Sequence, residues 1–333
     1  MSRPRRILAV DVGGTKIHLA IFCRDAEGLR IEFERRLPSA PERSLEELID
    51  GVLPLKLRRG LPAVFAVAGP VRGREARLTN LPWELSSEAL SGALDLREVR
   101  LINDVEAMAW SLEAGAGLLE LKAGKAVPGG HRALLSLGTG LGEGGAVQTD
   151  GRYHPWAGEG GHCDWAPGGE LEWELALFLR ARLGLEHLSR ERLLSGEGLV
   201  NITRFIFSGR GRSLEDFLQK GQDAAVVQIH TAAREKSDPA CREALELFVR
   251  LMGAEAGNLA LVCGATGGVY LGGGMAVKLA WALNSGIFRE AFLGKGRMNS
   301  LLEAIPIMLL QGEGAPLQGA AIYALSRVDP GKG

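Results

Sequence analysis

The side chains able to do chemistry fall in short runs beside glycine. Asp11 stands next to last in the apolar run Ile7 to Val12, which precedes Gly13, Gly14, Thr15 and Lys16. Asn103 and Asp104 follow the apolar stretch Val99 to Ile102, and Thr79 and Asn80 precede Leu81-Pro82-Trp83. Glu159 and His162 lie in Gly158-Glu159-Gly160-Gly161-His162, and Glu191 stands just before Leu193-Leu194-Ser195-Gly196. An aspartate at a strand end can take the proton of an attacking hydroxyl, and an asparagine beside it can orient that hydroxyl. A carboxylate and an imidazole on a glycine-flanked loop can read two vicinal hydroxyls, one by accepting hydrogen bonds and the other by donating. Each group also has a plainer reading. Asn and Asp are preferred helix caps, which position alone favours for Asn103-Asp104. Glu159 and His162 could be solvated loop residues, Glu191 an exposed helix residue, and Thr79-Asn80 is ambiguous. Cys163 beside His162 has no further ligand at metal spacing.

Glycine itself is the compositional outlier, at 46 of 333 residues, about twice the usual share. It clusters after three apolar strands: within Asp11 to Lys16, in Gly138 to Gly145 beginning Gly138-Thr139-Gly140, and at Gly272, Gly273 and Gly274. Without a Cβ, main-chain N–H groups can crowd a phosphate. Any single loop reads equally well as a hairpin turn. All three together, with Asp11 at the tip of the first, favour a nucleotide with a polyphosphate. Asp11 would then hold the water shell of Mg²⁺, an ion that keeps several waters and uses few protein ligands. The GxGxxG match from Gly140 to Gly145 lacks the helix a dinucleotide fingerprint requires, since Ala146-Val147 reads as strand and Asp150-Gly151 as a turn. The first loop has the wrong order for a P-loop.

The elements needed to carry these groups are legible in outline. Ile7 to Val12 and Ile17 to Phe22 form a hairpin with a glycine tip, and Ala133 to Leu137 with Ala146 to Gln148 repeats the unit. Further strands are expected at Ala63–Ala68, Val99–Ile102 and Gly268–Leu271. Helices are expected at Leu45–Leu57, Val105–Leu118, Leu171–Leu183, Leu214–Leu218, from Pro239 onward and at Gln318–Arg327. The helix at Pro239 is the best marked, with Ser237 or Asp238 as cap and proline in its first turn. Mixed strands and helices with two glycine hairpins predict an α/β protein with two lobes.

Bulk properties exclude other classes. The 39 basic and 40 acidic residues nearly cancel, leaving no basic excess for nucleic acid or an anionic membrane. Arg3, Arg5 and Arg6 run into an apolar strand too short for a signal-peptide core or a membrane span. The four cysteines form no CxxC pair and read as reduced, mostly apolar packing groups. A cytoplasmic protein is expected.

The ordered set DVGGTK at Asp11, TNLPW at Thr79, LINDVEA at Leu101, GTGLG at Gly138, GEGGHCDW at Gly158, ERLLSGEGLVN at Glu191, GNLAL at Gly257 and GGVYLGGG at Gly267 resembles the bacterial glucokinases that lack a zinc motif. It spans nearly the whole chain. The resemblance implies the two-lobed actin/hexokinase-like (ribonuclease H-like) fold with a central ligand cleft. The small lobe would be residues 1–112 plus 312–333 and the large lobe 113–311. It implies phosphorylation of glucose by MgATP, with Asp104 as base toward the 6-hydroxyl. Thr79, Asn80, Asn103, Glu159, His162 and Glu191 would be on the sugar, the loops Asp11–Lys16 and Gly138–Gly140 on the phosphates, and Gly272–Gly274 near the adenosine. It implies a homodimer by analogy. Other hexoses as substrate, or a sugar sensor without turnover, are the rival readings; the latter would need neither Asp104 nor three glycine loops. The cysteine-rich zinc motif of the related sugar kinases and repressors is absent after GEGGH, and no DNA-binding domain is expected before Ile7. Lys16 and Cys163 stand where these glucokinases often have Asn and Val. Nothing carries over to Ser208–Lys236.

Overall fold

The computed structural model describes residues 5–25, 28–79, 81–115, 117–218, 222–312 and 314–328. Its strands in chain order are β1 (Arg5–Val12), β2 (Lys16–Asp25), β3 (Gly28–Pro38), β4 (Pro62–Val67), β5 (Val71–Arg72), β6 (Glu75–Arg77), β7 (Glu84–Ser86), β8 (Glu98–Asn103), β9 (Leu118–Lys122), β10 (Arg132–Leu137), β11 (Leu141–Thr149), β12 (Arg152–Gly158), β13 (Gly268–Gly272) and β14 (Ile307–Leu310). The chain divides into two units. One is Met1–Gly117 with Pro155–Ala157 and Gly312–Gly333; the other is Leu118–His154 with Gly158–Gln311.

The first unit is built on a five-stranded sheet, β3-β2-β1-β4-β8. β1 runs antiparallel to β2 and parallel to β4, which is parallel to β8. Alternation along β1 splits its side chains between two cores. Leu8, Val10 and Val12 join Leu45, Leu48 and Ile49 from the helix Leu45–Asp50. Ile7 and Ala9 face the other way, against Ala107 of the helix Asp104–Ser111 and Leu317, Ala320 and Ala321 of the helix Ala315–Val328. Those two helices cross closely enough that a methyl on Gly319 would overlap the Ala107 carbonyl. A small sheet, β5-β6-β7, completes this unit.

The second unit carries the six-stranded sheet β12-β11-β10-β13-β14-β9. Its core gathers helical residues such as Leu199, Phe207, Phe248 and Phe292 against Leu135 and Leu271 of the sheet. The 25-residue helix Pro239–Cys263 begins as its sequence requires. Asp238 Oδ1 accepts the Ala240 and Cys241 N–H groups at 2.8 and 3.1 Å, and Gly264 closes the helix at φ +57°.

Two expected helices end early. The stretch Leu45–Leu57 is two helices, Leu45–Asp50 and Leu55–Arg58, because Pro54 has no N–H for a continuous ladder. The helix expected to reach Leu118 ends at Ser111, passes through a 3₁₀ turn and stops at Gly115 with φ +66°. Leu118 opens β9 instead.

Candidate active site

In the first unit, alternation puts Asp11 on the Ile7 and Ala9 side of β1, the face covered by the helix Asp104–Ser111. Asp11 is half-buried. Burial first, and the Asp104 carboxylate second, push its pKa up to about 7, while Lys16 opposes the rise. The turn between β1 and β2 is tied at both sides. The Gly13 N–H donates to the Lys16 carbonyl at 2.9 Å, and Ser39 Oγ donates to the Gly13 carbonyl at 2.8 Å.

Asn103 ends β8 and caps the following helix. Its Oδ1 accepts the Val105 N–H at 2.8 Å and the Glu106 N–H at 3.4 Å, and its Nδ2 donates to the Gly69 carbonyl at 3.1 Å. Asp104 is the first helical residue, half-buried, and its Oδ1 also accepts the Val105 N–H at 3.0 Å. The cap fixes where the Asp104 carboxylate starts. The Thr79 N–H donates to the Ala68 carbonyl at 3.3 Å, so Thr79 and Asn103 are anchored to consecutive residues beyond β4. Asn80 lies outside the described residues. The first unit thus collects Asp11, Lys16, Thr79, Asn103 and Asp104 about the ends of β1, β4 and β8.

In the second unit, β10 and β11 form a hairpin whose Gly138 N–H donates to the Gly140 carbonyl at 3.0 Å. Glu191 Oε2 accepts the Leu141 N–H at 2.9 Å. A methyl on Gly140 would overlap that carboxylate. Glu191 is therefore packed on the turn that holds Gly138, Thr139 and Gly140. The loop after β12 lies directly on β11. A Cβ on Gly160 would overlap the Glu143 carboxylate, and one on Gly161 the Leu141 carbonyl. The glycines of this loop are thus required by close packing. Glu159 and His162 remain exposed, with carboxylate and imidazole 3.8 Å apart. Gly273 follows β13 at φ +90°, and a methyl there would overlap the Leu137 backbone. It leads into the five-residue helix Gly274–Lys278. The second unit thus joins Glu159, His162 and Glu191 to β11 and its turn, and sets Gly272–Gly274 beside the end of β10.

The family profile described as Glucokinase matches residues 8–327. The chain belongs to the glucokinase family. It is 34% identical to the glucokinase of Nostoc punctiforme, with 96% of this chain and 98% of that protein covered. Among solved structures it resembles a glucokinase from an Antarctic psychrotroph, at 30% identity and a TM-score of 0.78, covering 96% and 98% of the two chains. It shares the fold of a ROK-family glucokinase from Streptomyces griseus in complex with glucose and AMPPNP, at 23% identity and a TM-score of 0.64, covering 97% and 99%. The actin/hexokinase-like fold expected from the sequence is therefore that of the chain.

Some residues that shape the candidate site carried no signal in the sequence. His187 bonds through Nε2 to the His162 carbonyl at 3.0 Å and through Nδ1 to Asp164 Oδ1 at 2.6 Å. Arg190 reaches Glu143 and Glu255. Neither stands in a glycine run, and each acts through partners distant in sequence. Among the described residues no group of three or more His, Cys, Asp or Glu could hold a metal ion, and no helix is long and apolar enough to cross a membrane.

Proposed function

We propose that the chain transfers the γ-phosphoryl group of ATP to the 6-hydroxyl of glucose, with Asp104 as the base. The observation that carries this reading is the seat of Asp104. It stands at the first position of a capped helix, held by Asn103 and facing Asp11 across the end of the parallel strands. Strand ends in α/β sheets are where ligands bind. The 6-hydroxyl gives its proton to the Asp104 carboxylate as its oxygen bonds to phosphorus and the bond to the departing ADP oxygen breaks. Positioning and charge stabilisation supply most of the rate in such transfers. The Streptomyces griseus relative's complex with glucose and AMPPNP supports both substrates.

Asn103 keeps one Nδ2 hydrogen beyond its bond to Gly69 and can orient a sugar hydroxyl with it. Thr79, Asn80, Glu159, His162 and Glu191 take other sugar hydroxyls. Glu159 accepts, and His162 donates or accepts. On the phosphate side, the Gly13 and Gly138 N–H groups close their own turns and Leu141 is given to Glu191. In this reading the phosphates lie against the amides of Gly14, Thr15, Thr139 and Gly140, with the Lys16 ammonium beside the first set. Gly272, Gly273 and Gly274 take the adenosine side. Two carboxylates near one lysine leave negative charge that suits a hydrated Mg²⁺ on the triphosphate, so Asp11 fits the water-mediated role. Bound there, Mg²⁺ neutralises phosphate charge. The described cysteines are all free, which supports a reducing, cytoplasmic setting.

The test is ADP release on adding glucose to the protein with MgATP, beside mannose, fructose, N-acetylglucosamine and no-sugar controls. Glucose is expected to give the largest kcat/KM. Asp104→Asn should lower kcat by about 10²–10⁴-fold while calorimetry still detects glucose binding. Near-normal turnover in that variant would remove Asp104 as the base, and preference for another sugar would reassign the substrate.

A further inference from the structure

Glu143 on β11 and Glu255 on the helix Pro239–Cys263 are both buried, with side chains 4% and 5% exposed. Arg190 lies against both. Arg190 Nη1 lies 3.4 Å from Glu143 Oε2 and 2.9 Å from Glu255 Oε1. Among the described residues, Glu143 Oε1 and Glu255 Oε1 receive no hydrogen bond, so the Arg190 approach to Glu255 is a charge contact only. Glu255 Oε2 accepts from Asn258 Nδ2 at 3.1 Å, and Lys295 Nζ donates to Asn258 Oδ1 at 2.6 Å. Two orphaned oxygens on two dry carboxyls call for a proton between them, which gives one a donor and the other an acceptor.

This cluster touches the sugar-facing loop on two sides. Gly160 packs on the Glu143 carboxylate. The Arg190 N–H donates to the Cys163 carbonyl at 3.1 Å, and Glu191 is the next residue. We propose that Arg190, Glu143 and Glu255 form a buried positioning unit, singly protonated across its two carboxyls, that sets the loop Gly158–His162 and Glu191 for sugar binding. This rests on the kinase reading above. None of the three touches substrate; they act through Gly160, Cys163 and Glu191. Burial, then Glu255, push the Glu143 pKa up to about 7 against the pull of Arg190. The other charged or titratable groups about the pair are Cys263, Lys295 and, beyond Lys295, Glu172. Loss of the shared proton above neutrality sets two like charges against each other beneath Gly160. The loop then loosens, and glucose affinity falls more than turnover at saturation.

Glu143→Gln tests this directly, because its amide donates to Glu255 at every pH as the protonated carboxyl does only at low pH. Glucose KM, kcat and amide hydrogen exchange over residues 158–164 are measured from pH 6 to pH 9, with exchange corrected for its intrinsic pH dependence. Wild type is expected to raise its glucose KM by about 3–10-fold across that range, with kcat changed far less, and to lose protection in the loop. Glu143→Gln should hold a low, flat KM and constant protection. Arg190→Met should raise KM and loop exchange at all pH values, and Arg190→Lys should rescue it only in part. Parallel pH profiles for wild type and Glu143→Gln would overturn the proposal. A wild type with no ADP release would instead sink the kinase reading, and the exchange data would still decide the positioning unit.

Discussion

Glu191 Oε2 accepts the Leu141 N–H at 2.9 Å, which ties a proposed sugar ligand to the turn proposed for the phosphates. Gly140 lies under the same carboxylate without room for a methyl. The two substrate sides of the second unit therefore share one side chain, and a change at either should be felt at both.

Gly140→Ala displaces the Glu191 carboxylate. We expect kcat/KM to fall by about 10²-fold for both glucose and ATP, the scale of a 1 Å misplacement. Glu191→Gln keeps a carbonyl oxygen for Leu141 and should be milder. Steady-state kinetics with each substrate varied in turn check this. A Gly140→Ala effect confined to ATP would remove Glu191 from the sugar.

Asp11 links function to a cost in stability. Its pKa rises from an ordinary 3.8 to about 7 on folding, so between those values the native chain holds a proton the unfolded chain has lost. The favourable term is complete below pH 3.8, declines as pH rises, and is gone above about 7. Ligand-free Asp11→Asn should then melt higher than wild type at pH 8, by a difference on the order of 2 kcal/mol given its partial exposure. The two should converge near pH 4, and the variant should lose kinase activity. Melting curves over that range decide it; a variant less stable than wild type at pH 8 would contradict the assignment.

Gly319 packs the helix Ala315–Val328 onto Ala107, in the helix that Asp104 opens. Gly319→Ala should cost about 2–3 kcal/mol and lower kcat, because the helix must shift. Gly92, inside the helix Ser87–Ala93, has open space about it, and Gly92→Ala should be neutral or stabilising. Denaturant unfolding of both variants makes the comparison.

The two glycine hairpins, the strand carrying Asp11 and the cap at Asp238 were all readable, because turn chemistry and alternation are local signals. β3 was not. Leu29, Ile31 and Phe33 do alternate along it, but charged residues surround them and its side chains are mostly exposed; main-chain pairing with β2 makes it a strand. The helices Gly196–Gly209 and Gln222–Arg234 are not expected from the sequence either; the first opens with two glycines, Gly196 and Gly198, which disfavour a helix. At the site, the sequence motifs marked the glycines but not their reasons. Gly160 and Gly161 answer to atoms of Glu143 and Leu141, contacts that only the tertiary fold creates. Arg190 was hidden for the same cause, since a lone arginine in a polar run says nothing of two carboxyls buried elsewhere.

The helix Ala315–Val328 supplies Leu317, Ala320 and Ala321 to a core shared with Ile7 and Ala9. During synthesis on a ribosome those residues emerge only after nearly all of the second unit. One face of the first sheet, partly covered by the helix Asp104–Ser111, must therefore wait incompletely packed through most of translation. The second unit holds its own core and is free to fold while that face waits. Truncation just before Ala315 should thus leave a nascent chain that engages chaperones at its oldest segment, a vulnerability set by the order of the sequence and not by the strength of any one contact.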